Sequence, residues 1–206
     1  MPISFPVVIQ TRKVSDGPKK YVYYPQIIEL KNKQVEQHIN RTIVHHTQQL
    51  MNQQFGNMPS IIVEMVGSFE IKNNQRDILS LTLSNYAYPD RAAHGMTYLD
   101  SLTFNVETGK QYALKDLFKP GSDYIERISN IIKGQIKQRD LPVITEFTTI
   151  KPDQDYYIAD KALVIYFQLY DLVPYAWGFP MFPISVYDIQ DIIDENGPLG
   201  KMLAGN

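Results

Sequence analysis

The sequence lacks the residue patterns that identify disulfide scaffolds, nucleic-acid binders and membrane proteins. It contains no cysteine, which excludes disulfides, thiolate nucleophiles and Cys-bound zinc or iron–sulfur sites. Its 20 Lys and Arg against 22 Asp and Glu give a net charge of −2, which argues against nucleic-acid binding through phosphate contacts. The longest apolar run, residues 162–167, is too short to cross a bilayer, and residues 1–6 lack the charged-then-apolar pattern of a signal peptide.

Tyrosine, by contrast, is abundant: 14 Tyr stand against 9 Phe, so many of the rings carry a polar tip. Apolar residues make up 44% of the chain, which supplies a core and excludes disorder. The length fits one domain or two small lobes. Because there is no repeat, low-complexity tract or linker, we expect one integrated module over residues 1–206, with 1–108 and 109–206 as candidate lobes.

Hydrophobic periodicity predicts an α+β fold. One helix is predicted from an N-cap at Asn32 to about Gln54, and a second follows a cap at Ser122. Three segments between them alternate apolar and polar residues, as strands do in an antiparallel sheet with one buried face. A last short helix is predicted to open at Ser185 and to end at Pro198. The expected architecture is an antiparallel meander sheet packed against two longer helices, plus a short C-terminal helix.

The common catalytic signatures are absent: no glycine-rich phosphate loop, dinucleotide fingerprint, HExxH or GxSxG pattern occurs. His38 and His45 would lie about 10.5 Å apart along the predicted helix, too far to share a metal ion. His45 and His46 diverge around that helix, so a solvated helix face explains all three. Asp153 and Asp155 lack the glycine and glutamate of a calcium loop. We therefore predict no catalytic residue, metal site or cofactor, although a carboxylate pair distant in sequence stays open.

A loop between two predicted strands is the first candidate binding segment. Residues 85–95 exceed the roughly two to five residues of an ordinary hairpin loop, and longer loops more often carry function. The alternative is that His94 and Asp100 hydrogen-bond within the loop and brace it, since Asp100 lies on an otherwise apolar face and needs a partner. The candidate binding residues of this loop are Tyr86, Tyr88, Asp90, Arg91 and His94.

A second loop, residues 170–183, has three prolines and the single tryptophan of the chain. Proline lowers the entropy lost on binding, and Tyr and Trp are favoured in binding hot spots. Such a segment suits stacking on a sugar or filling a cleft on a protein. The alternative is a rigid connection whose rings complete the core. The candidate binding residues here are Pro174, Tyr175, Trp177 and Phe179.

These segments carry a resemblance to a known family. The chain resembles the extracytoplasmic domain of lysozyme-sensing anti-sigma-V factors, a pair of domains of unknown function that also precedes the catalytic domain of some peptidoglycan deacetylases. The resemblance covers most of the chain and is weakest before about Tyr21. The matching segments are Ala93-His94-Gly95, Gly109-Lys110, residues 114–122, residues 163–168 and residues 174–180.

The resemblance implies a bacterial binding module of the cell envelope and not an enzyme. In the anti-sigma members this module binds and inhibits C-type lysozyme, and binding exposes the receptor to proteolysis that frees a sigma factor. Here no sigma-binding segment and no transmembrane helix is seen in the sequence, so only the binding module carries over. The expected partner is C-type lysozyme, and the location stays open because the family is mostly extracytoplasmic.

Two other interpretations remain open at this point. One is a cell-wall glycan-binding or hydrolase-accessory domain, in which Tyr86, Tyr88, Tyr175 and Trp177 stack on sugar rings. The other is an intracellular protein that kept the fold and lost the partner.

Overall fold

The computed structural model describes residues 5–203 of the chain. The chain divides into two compact units, Met1–Gln111 and Tyr112–Asn206. Each unit has its own sheet and its own long helix, which makes the protein α+β, as the sequence predicts. That the chain acts as one integrated module stays a prediction.

The described part of the first unit consists of a five-stranded sheet with one long helix. Its elements are β1 (Val8–Ser15), β2 (Lys20–Ile28), α1 (Lys33–Asn57), β3 (Ile62–Gln75), β4 (Ile78–Pro89) and β5 (Met96–Asn105). The strands lie in chain order, and all neighbouring pairs are antiparallel except β2 and β3, which are parallel because α1 connects them. The antiparallel meander is therefore β3–β4–β5, and a hairpin is added beside it.

Helix α1 begins where the sequence predicts. The side chain of Asn32 accepts hydrogen bonds from the backbone N–H groups of Gln34 and Val35, which satisfies two donors of the first turn. The buried side of α1 then follows the helical repeat and packs on the sheet. Its buried residues are Val35, Ile39, Ile43, Thr47, Leu50 and Gln54.

The two strands that α1 connects, β2 and β3, pair with each other over only a short stretch. β2 pairs with β3 only from Lys20 to Val22, where Gly67 of β3 leaves room for the Val22 side chain. Beyond that point the side chain of Asn40 on α1 supplies the hydrogen bonds that a neighbouring strand would make to β2. Its Oδ1 accepts from the N–H of Ile27 at 2.8 Å, and its Nδ2 donates to the carbonyl of Ile27 at 2.8 Å. Asn40 therefore satisfies both backbone groups of a fully buried residue.

The predicted alternation of β3 is broken at its start. The alternation of residues 61–71 places Ile61, Val63, Met65, Phe69 and Ile71 on one face, which is expected to be buried, but Ile61 and Val63 are exposed and Ile62 is buried instead. The cause is a register shift between Ile62 and Glu64, where β3 gains one residue against β4. From Met65 to Ile71 the expected side does face the core, since Met65 is buried and Phe69 and Ile71 are half-buried.

The described part of the second unit contains a three-stranded antiparallel sheet in the order β6-β7-β8. Its regular elements are α2 (Tyr124–Gln138), β6 (Tyr156–Ala159), β7 (Ala162–Tyr166), β8 (Met181–Ser185) and α3 (Pro198–Leu203), with short 3₁₀ turns at Leu114–Leu117, Tyr175–Trp177 and Val186–Ile189. Side chains of α2 cover the outer edge of β8: Arg139 donates to the carbonyl of Met181, and Gln135 donates to that of Pro183.

Two predicted helix boundaries in this unit are wrong. Asp123, and not Ser122, precedes the first turn of α2, and its side chain makes no capping hydrogen bond. Ser185 does cap a turn, through the N–H of Tyr187, but the turn is a 3₁₀ turn of four residues. Pro198 begins α3 instead of ending a helix, a position that suits proline because the first helical N–H has no acceptor anyway.

The hydrogen bonds of Asn40 lead to a stability prediction. Asn40→Ala leaves the N–H and the carbonyl of Ile27 without partners inside the protein, so we expect the free energy of unfolding to fall by about 2–3 kcal/mol. Asn52→Ala is the matched control, because Asn52 lies on the same helix, is exposed and bonds only to Gln48. Urea denaturation measures both. Equal stabilities of the two variants would contradict the role given to Asn40.

Candidate functional site

The first candidate loop is shorter than the sequence suggests. Strand β4 continues to Pro89 and β5 begins at Met96, so Tyr86 and Tyr88 are strand residues and the connection proper is residues 90–95. Arg91 has a φ of 59°, a left-handed conformation that turns the chain, and its side chain is 92% exposed. It lies 3.6 Å from Asp90, which makes an exposed ion pair at the tip.

Two tyrosines of β4 hold this connection in place. The hydroxyl of Tyr88 donates to the carbonyl of Ala92 at 2.7 Å. The ring of Tyr86 lies against Gly95 so closely that a Cβ at that position would collide with it and with the carbonyl of Ala87. His94 contacts the carbonyl of Gly95 through Nδ1 at 2.9 Å. Gly95 is thus required by the position of the Tyr86 ring.

Of the two residues expected to brace this loop, His94 does bond within it, at the carbonyl of Gly95, but the side chain of Asp100 bonds elsewhere. Oδ2 of Asp100 lies 2.6 Å from Nδ1 of His46 on α1, and Oδ1 accepts from the N–H of Ser101. The expectation that Asp100 needs a partner is confirmed, but the partner is His46. His46 is therefore not simply part of a solvated helix face, as the sequence suggested, since it links α1 to β5.

The strand register brings the tyrosines of β4 together with two others that sequence reasoning missed. One row across the sheet consists of Tyr21, Val66, Tyr86 and Thr97. Side chains alternate along a strand, so Tyr23 of β2 and Tyr88 of β4 point to the same side as that row. We name this surface the tyrosine face, and it is formed by Tyr21, Tyr23, Tyr86 and Tyr88.

The tyrosine face lies on the side of the sheet away from α1. The opposite side carries Leu83, Ala87 and Met65, which are buried, and Leu83 packs in one cluster with Ile43 of α1. On the tyrosine face itself Tyr23 is 38% exposed and the other three tyrosines are half-buried. From the sequence, the alternation of side chains along β2 could have shown that Tyr21 and Tyr23 share one side of the strand. Only the pairing register of β2, β3 and β4 shows that they share a face with Tyr86 and Tyr88.

The side chain of Lys13 lies over two of these rings. The ammonium of Lys13 on β1 lies 4.9 Å from the ring centre of Tyr21 and 5.5 Å from that of Tyr23, which is cation–π contact. The two rings meet edge to face, with their centres 5.5 Å apart. This arrangement fixes both rings on the sheet surface.

The second candidate loop is anchored at both ends. Leu172 and Val173 are buried, and the carbonyl of Leu172 accepts from the N–H of Ile144 at 3.0 Å. At the far end the N–H of Phe167 bonds to the carbonyl of Pro180, and β8 follows at once. The segment 170–180 is therefore a fixed loop, and the last three residues assigned to it from sequence belong to β8.

The rings at the tip of this loop face outward. Trp177 is 57% exposed and Tyr170 is 45% exposed, while Pro174, Tyr175 and Phe179 are half-buried. The rings of Tyr170 and Tyr175 lie 5.4 Å apart between centres. Tyr170 adopts a φ of 69°, a strained conformation for a bulky residue, which turns the chain at the start of the loop. The core is completed by Leu172 and Val173, so the rings are not needed there.

The candidate residues fall into two sets, one in each unit. Tyr86, Tyr88, Asp90, Arg91 and His94 belong to the first unit, and Pro174, Tyr175, Trp177 and Phe179 belong to the second. The charges of the units differ in sign. The first has eleven Lys and Arg against nine Asp and Glu, a net +2, whereas the second has nine against thirteen, a net −4.

The pKa values of Glu36 and Tyr124 are shifted, and both shifts have local causes. The hydrogen bond from Lys33 lowers the pKa of Glu36 on α1 below its usual value. Burial, with the nearby carboxylate of Asp153, raises the pKa of Tyr124, whose ring stacks on Phe118. Among residues 5–203 no three His, Asp or Glu side chains converge as metal ligands would, and no helix has the length and apolar composition of a membrane span.

Comparison with known proteins matches the two units to two different family models. The model described as Deacetylase PdaC matches residues 19–97, within the first unit, and the model of the DUF3298 family, a protein family of unknown function, matches residues 115–187, within the second. The chain is 28% identical to the anti-sigma-V factor RsiV of Bacillus subtilis over 200 residues, which covers 90% of this chain and 69% of that protein.

Two solved structures share the fold. A DUF3298-family protein of Bacteroides fragilis has a TM-score of 0.71 at 11% identity, covering 98% of this chain and 99% of that one. A DUF3298-family protein of Pseudomonas aeruginosa has a TM-score of 0.70 at 13% identity, covering 99% of each chain. The chain is therefore similar to the anti-sigma-V factor over most of its length, and it matches the PdaC model in its first unit and the DUF3298 model in its second.

Proposed function

We propose that the chain is a non-catalytic, extracytoplasmic protein-binding module of the anti-sigma-V type, and that its second unit binds a C-type lysozyme through residues 170–179. The observation that carries the proposal is the exposed indole of Trp177, 57% accessible at the tip of an anchored loop. Tryptophan is the residue most enriched in binding hot spots, and an indole left in water on a folded domain is available to a partner.

The loop needs little ordering before it binds. Leu172 and Val173 are buried beneath it, and the N–H of Trp177 already bonds to the carbonyl of Pro174 at 2.9 Å. A binding segment that is fixed beforehand loses less conformational entropy on association. A protein with a concave cleft, as an enzyme has, suits a projecting loop of this kind.

The charge of the second unit supports a basic partner. C-type lysozymes are basic proteins, and the unit that carries the loop has a net charge of −4. The net charge of the whole chain, −2, does not show this difference between the units. Complementary charge raises the association rate more than it raises affinity. Asp171, exposed within the loop itself, contributes to this field where contact begins.

The first unit supplies the remaining candidate residues. Asp90 and Arg91 form an exposed ion pair at the tip of the β4–β5 connection, and His94 lies in the same connection. We propose them as secondary contacts of a protein partner. An exposed ion pair contributes little binding energy on its own, so their expected effect is smaller than that of Trp177.

Removal of the indole is the first test. For Trp177→Ala we expect the Kd for hen lysozyme, measured by calorimetry at moderate salt, to rise about tenfold or more, because a central aromatic anchor is lost. The fold should be unaffected, since the side chain is mostly in water. Phe55→Ala is the control, because Phe55 is 59% exposed but lies on α1 of the first unit.

The outcome of this titration is decisive in both directions. If the unchanged chain gives no heat and no inhibition of lysozyme at tens of micromolar, lysozyme is not the ligand. If Trp177→Ala binds as tightly as Phe55→Ala, the loop is not the contact.

Salt dependence is the second test. Raising the NaCl concentration from about 50 to about 500 mM should slow association with lysozyme, because it shortens the range of the field of the acidic unit. Asp171→Asn should slow association at low salt, whereas Asp16→Asn, an exposed change in the first unit, should not. Stopped-flow fluorescence measures the rates. An association rate that salt and Asp171→Asn both leave unchanged would remove the electrostatic part of the proposal.

A further inference from the structure

We propose that the tyrosine face of the first unit is a binding site for an uncharged, linear oligosaccharide. This site lies in a different unit from the Trp177 loop, and it goes beyond the protein-binding function proposed above.

The geometry of the face suits an extended ligand. Tyr21 and Tyr86 occupy the same row of the sheet with one residue, Val66, between them. Two steps between neighbouring strands separate their backbones by about 10 Å, since strands lie about 4.8 Å apart. Two linked sugar rings cover about this length from end to end, so one sugar and the next but one in the same oligosaccharide can lie over Tyr21 and Tyr86.

The rings of Tyr86 and Tyr88 are held in position by their neighbours. Tyr86 lies against the backbone of Gly95, where a side chain would displace it, and this contact keeps the ring close to the sheet. Tyr88 is held by its hydroxyl on Ala92. The faces of aromatic rings carry partial negative charge, and the C–H groups on one side of a sugar carry partial positive charge, so the two attract when stacked.

Hydroxyl groups lie beside these rings. Ser68 and Ser84 face each other on β3 and β4, in the row next to Tyr86, with their Oγ atoms 2.8 Å apart. A hydroxyl has one proton and two lone pairs, so this pair keeps lone pairs that accept hydrogen bonds from a ligand. Thr97, opposite Tyr86 on β5, adds a third hydroxyl at the end of the row. Aromatic faces next to hydroxyls match a ligand with an apolar side and many O–H groups.

The charges on this face favour an uncharged ligand over nucleic acid. Lys13 is the cation that lies over the tyrosine rings. Glu64 stands opposite Tyr88, and Glu70 follows on the same side of β3, where it pairs with Lys72. Single strands bind to stacking surfaces within a strongly positive groove, and this face, where Lys13 and Lys72 balance Glu64 and Glu70, is not such a groove.

The same face is a poor protein interface. The buried centre of a protein interface is more apolar than the rest of the protein surface, although tyrosine is common there. Between Tyr21 and Tyr86 this face instead presents Val66 flanked by the exposed Ser68. A ligand with many hydroxyl groups, whose hydrogen bonds to water can be replaced by hydrogen bonds to this face, matches the face better than a protein does.

The test is a titration of the isotope-labelled full chain, in the absence of lysozyme, followed by amide NMR shifts. Cellotetraose and chitotetraose are the probes, each added to about 5 mM, because short sugars on an open face bind in the millimolar range. We expect at least one of them to shift the amides of Tyr21, Val66, Ser84 and Thr97, with the amides around Trp177 unmoved.

Variants on the face and a matched control sharpen the assignment. Tyr23→Ala and Lys13→Ala should each weaken sugar binding by about fivefold or more, the first by removing a ring and the second by releasing Tyr21 and Tyr23 from their fixed positions. Tyr187→Ala is the control, because Tyr187 is 49% exposed and has Lys161 5.4 Å from its ring centre, but it belongs to the second unit. It should leave sugar binding unchanged. A thermal melt of each variant verifies that it is folded.

Three results would overturn the proposal. The first is that neither sugar shifts any amide of the tyrosine face. The second is that shifts occur there but Tyr23→Ala and Lys13→Ala bind as the unchanged chain does. The third is that a thymidine octamer binds this face more tightly than either sugar, which would make it a single-strand platform. None of these results bears on lysozyme binding by the second unit, so the two proposals stand or fall separately.

Discussion

The early separation of β2 from β3 is the constraint on which the first unit depends. After Val22 the two strands no longer pair, and the backbone of Ile27, which is fully buried, has no strand on that side. An unpaired buried amide is costly, so another group must supply the hydrogen bonds. Asn40 supplies both from α1. This contact ties the helix to the hairpin, while His46, through Asp100, ties it to β5 on the other side of the meander.

The position of α1 decides which side of the sheet is left for binding. Because the helix covers the face that carries Leu83 and Ala87, the tyrosines of β4, which alternate with them, lie on the other face. The second half of β4 thus has two roles: Leu83, Asn85 and Ala87 are buried, and Ser84, Tyr86 and Tyr88 belong to the surface that we propose for sugars. A one-residue slip in register would exchange these roles, and the close packing of Gly95 on Tyr86 opposes such a slip.

Local features could be predicted from the sequence, and pairings between distant segments could not. The Asn32 cap and the buried repeat of α1 are properties of neighbouring residues, and both predictions are confirmed. Proline suits the edge of a sheet, and Pro25 lies in the stretch of β2 that pairs with β1 alone, but the sequence does not show that residues 20–22 of the same strand pair with β3. The partner of Asp100 was missed for the same reason, since His46 is distant in sequence. Tyr21 and Tyr86 are likewise joined only by the parallel β2–β3 register.

Loop composition indicated the binding rings of the second unit, but only packing determines which of them reach solvent. Residues 170–179 contain three aromatic side chains besides Phe179, and the core beneath is filled by Leu172 and Val173, so Trp177 and Tyr170 remain outside. The opposite net charges of the units add a second distinction. An acidic unit with a projecting indole suits a basic protein, whereas a face of tyrosines and serines with few charges suits a ligand that binds through hydrogen bonds and stacking. The two surfaces therefore differ in the ligand chemistry they select, and a change in salt concentration should affect the first far more than the second.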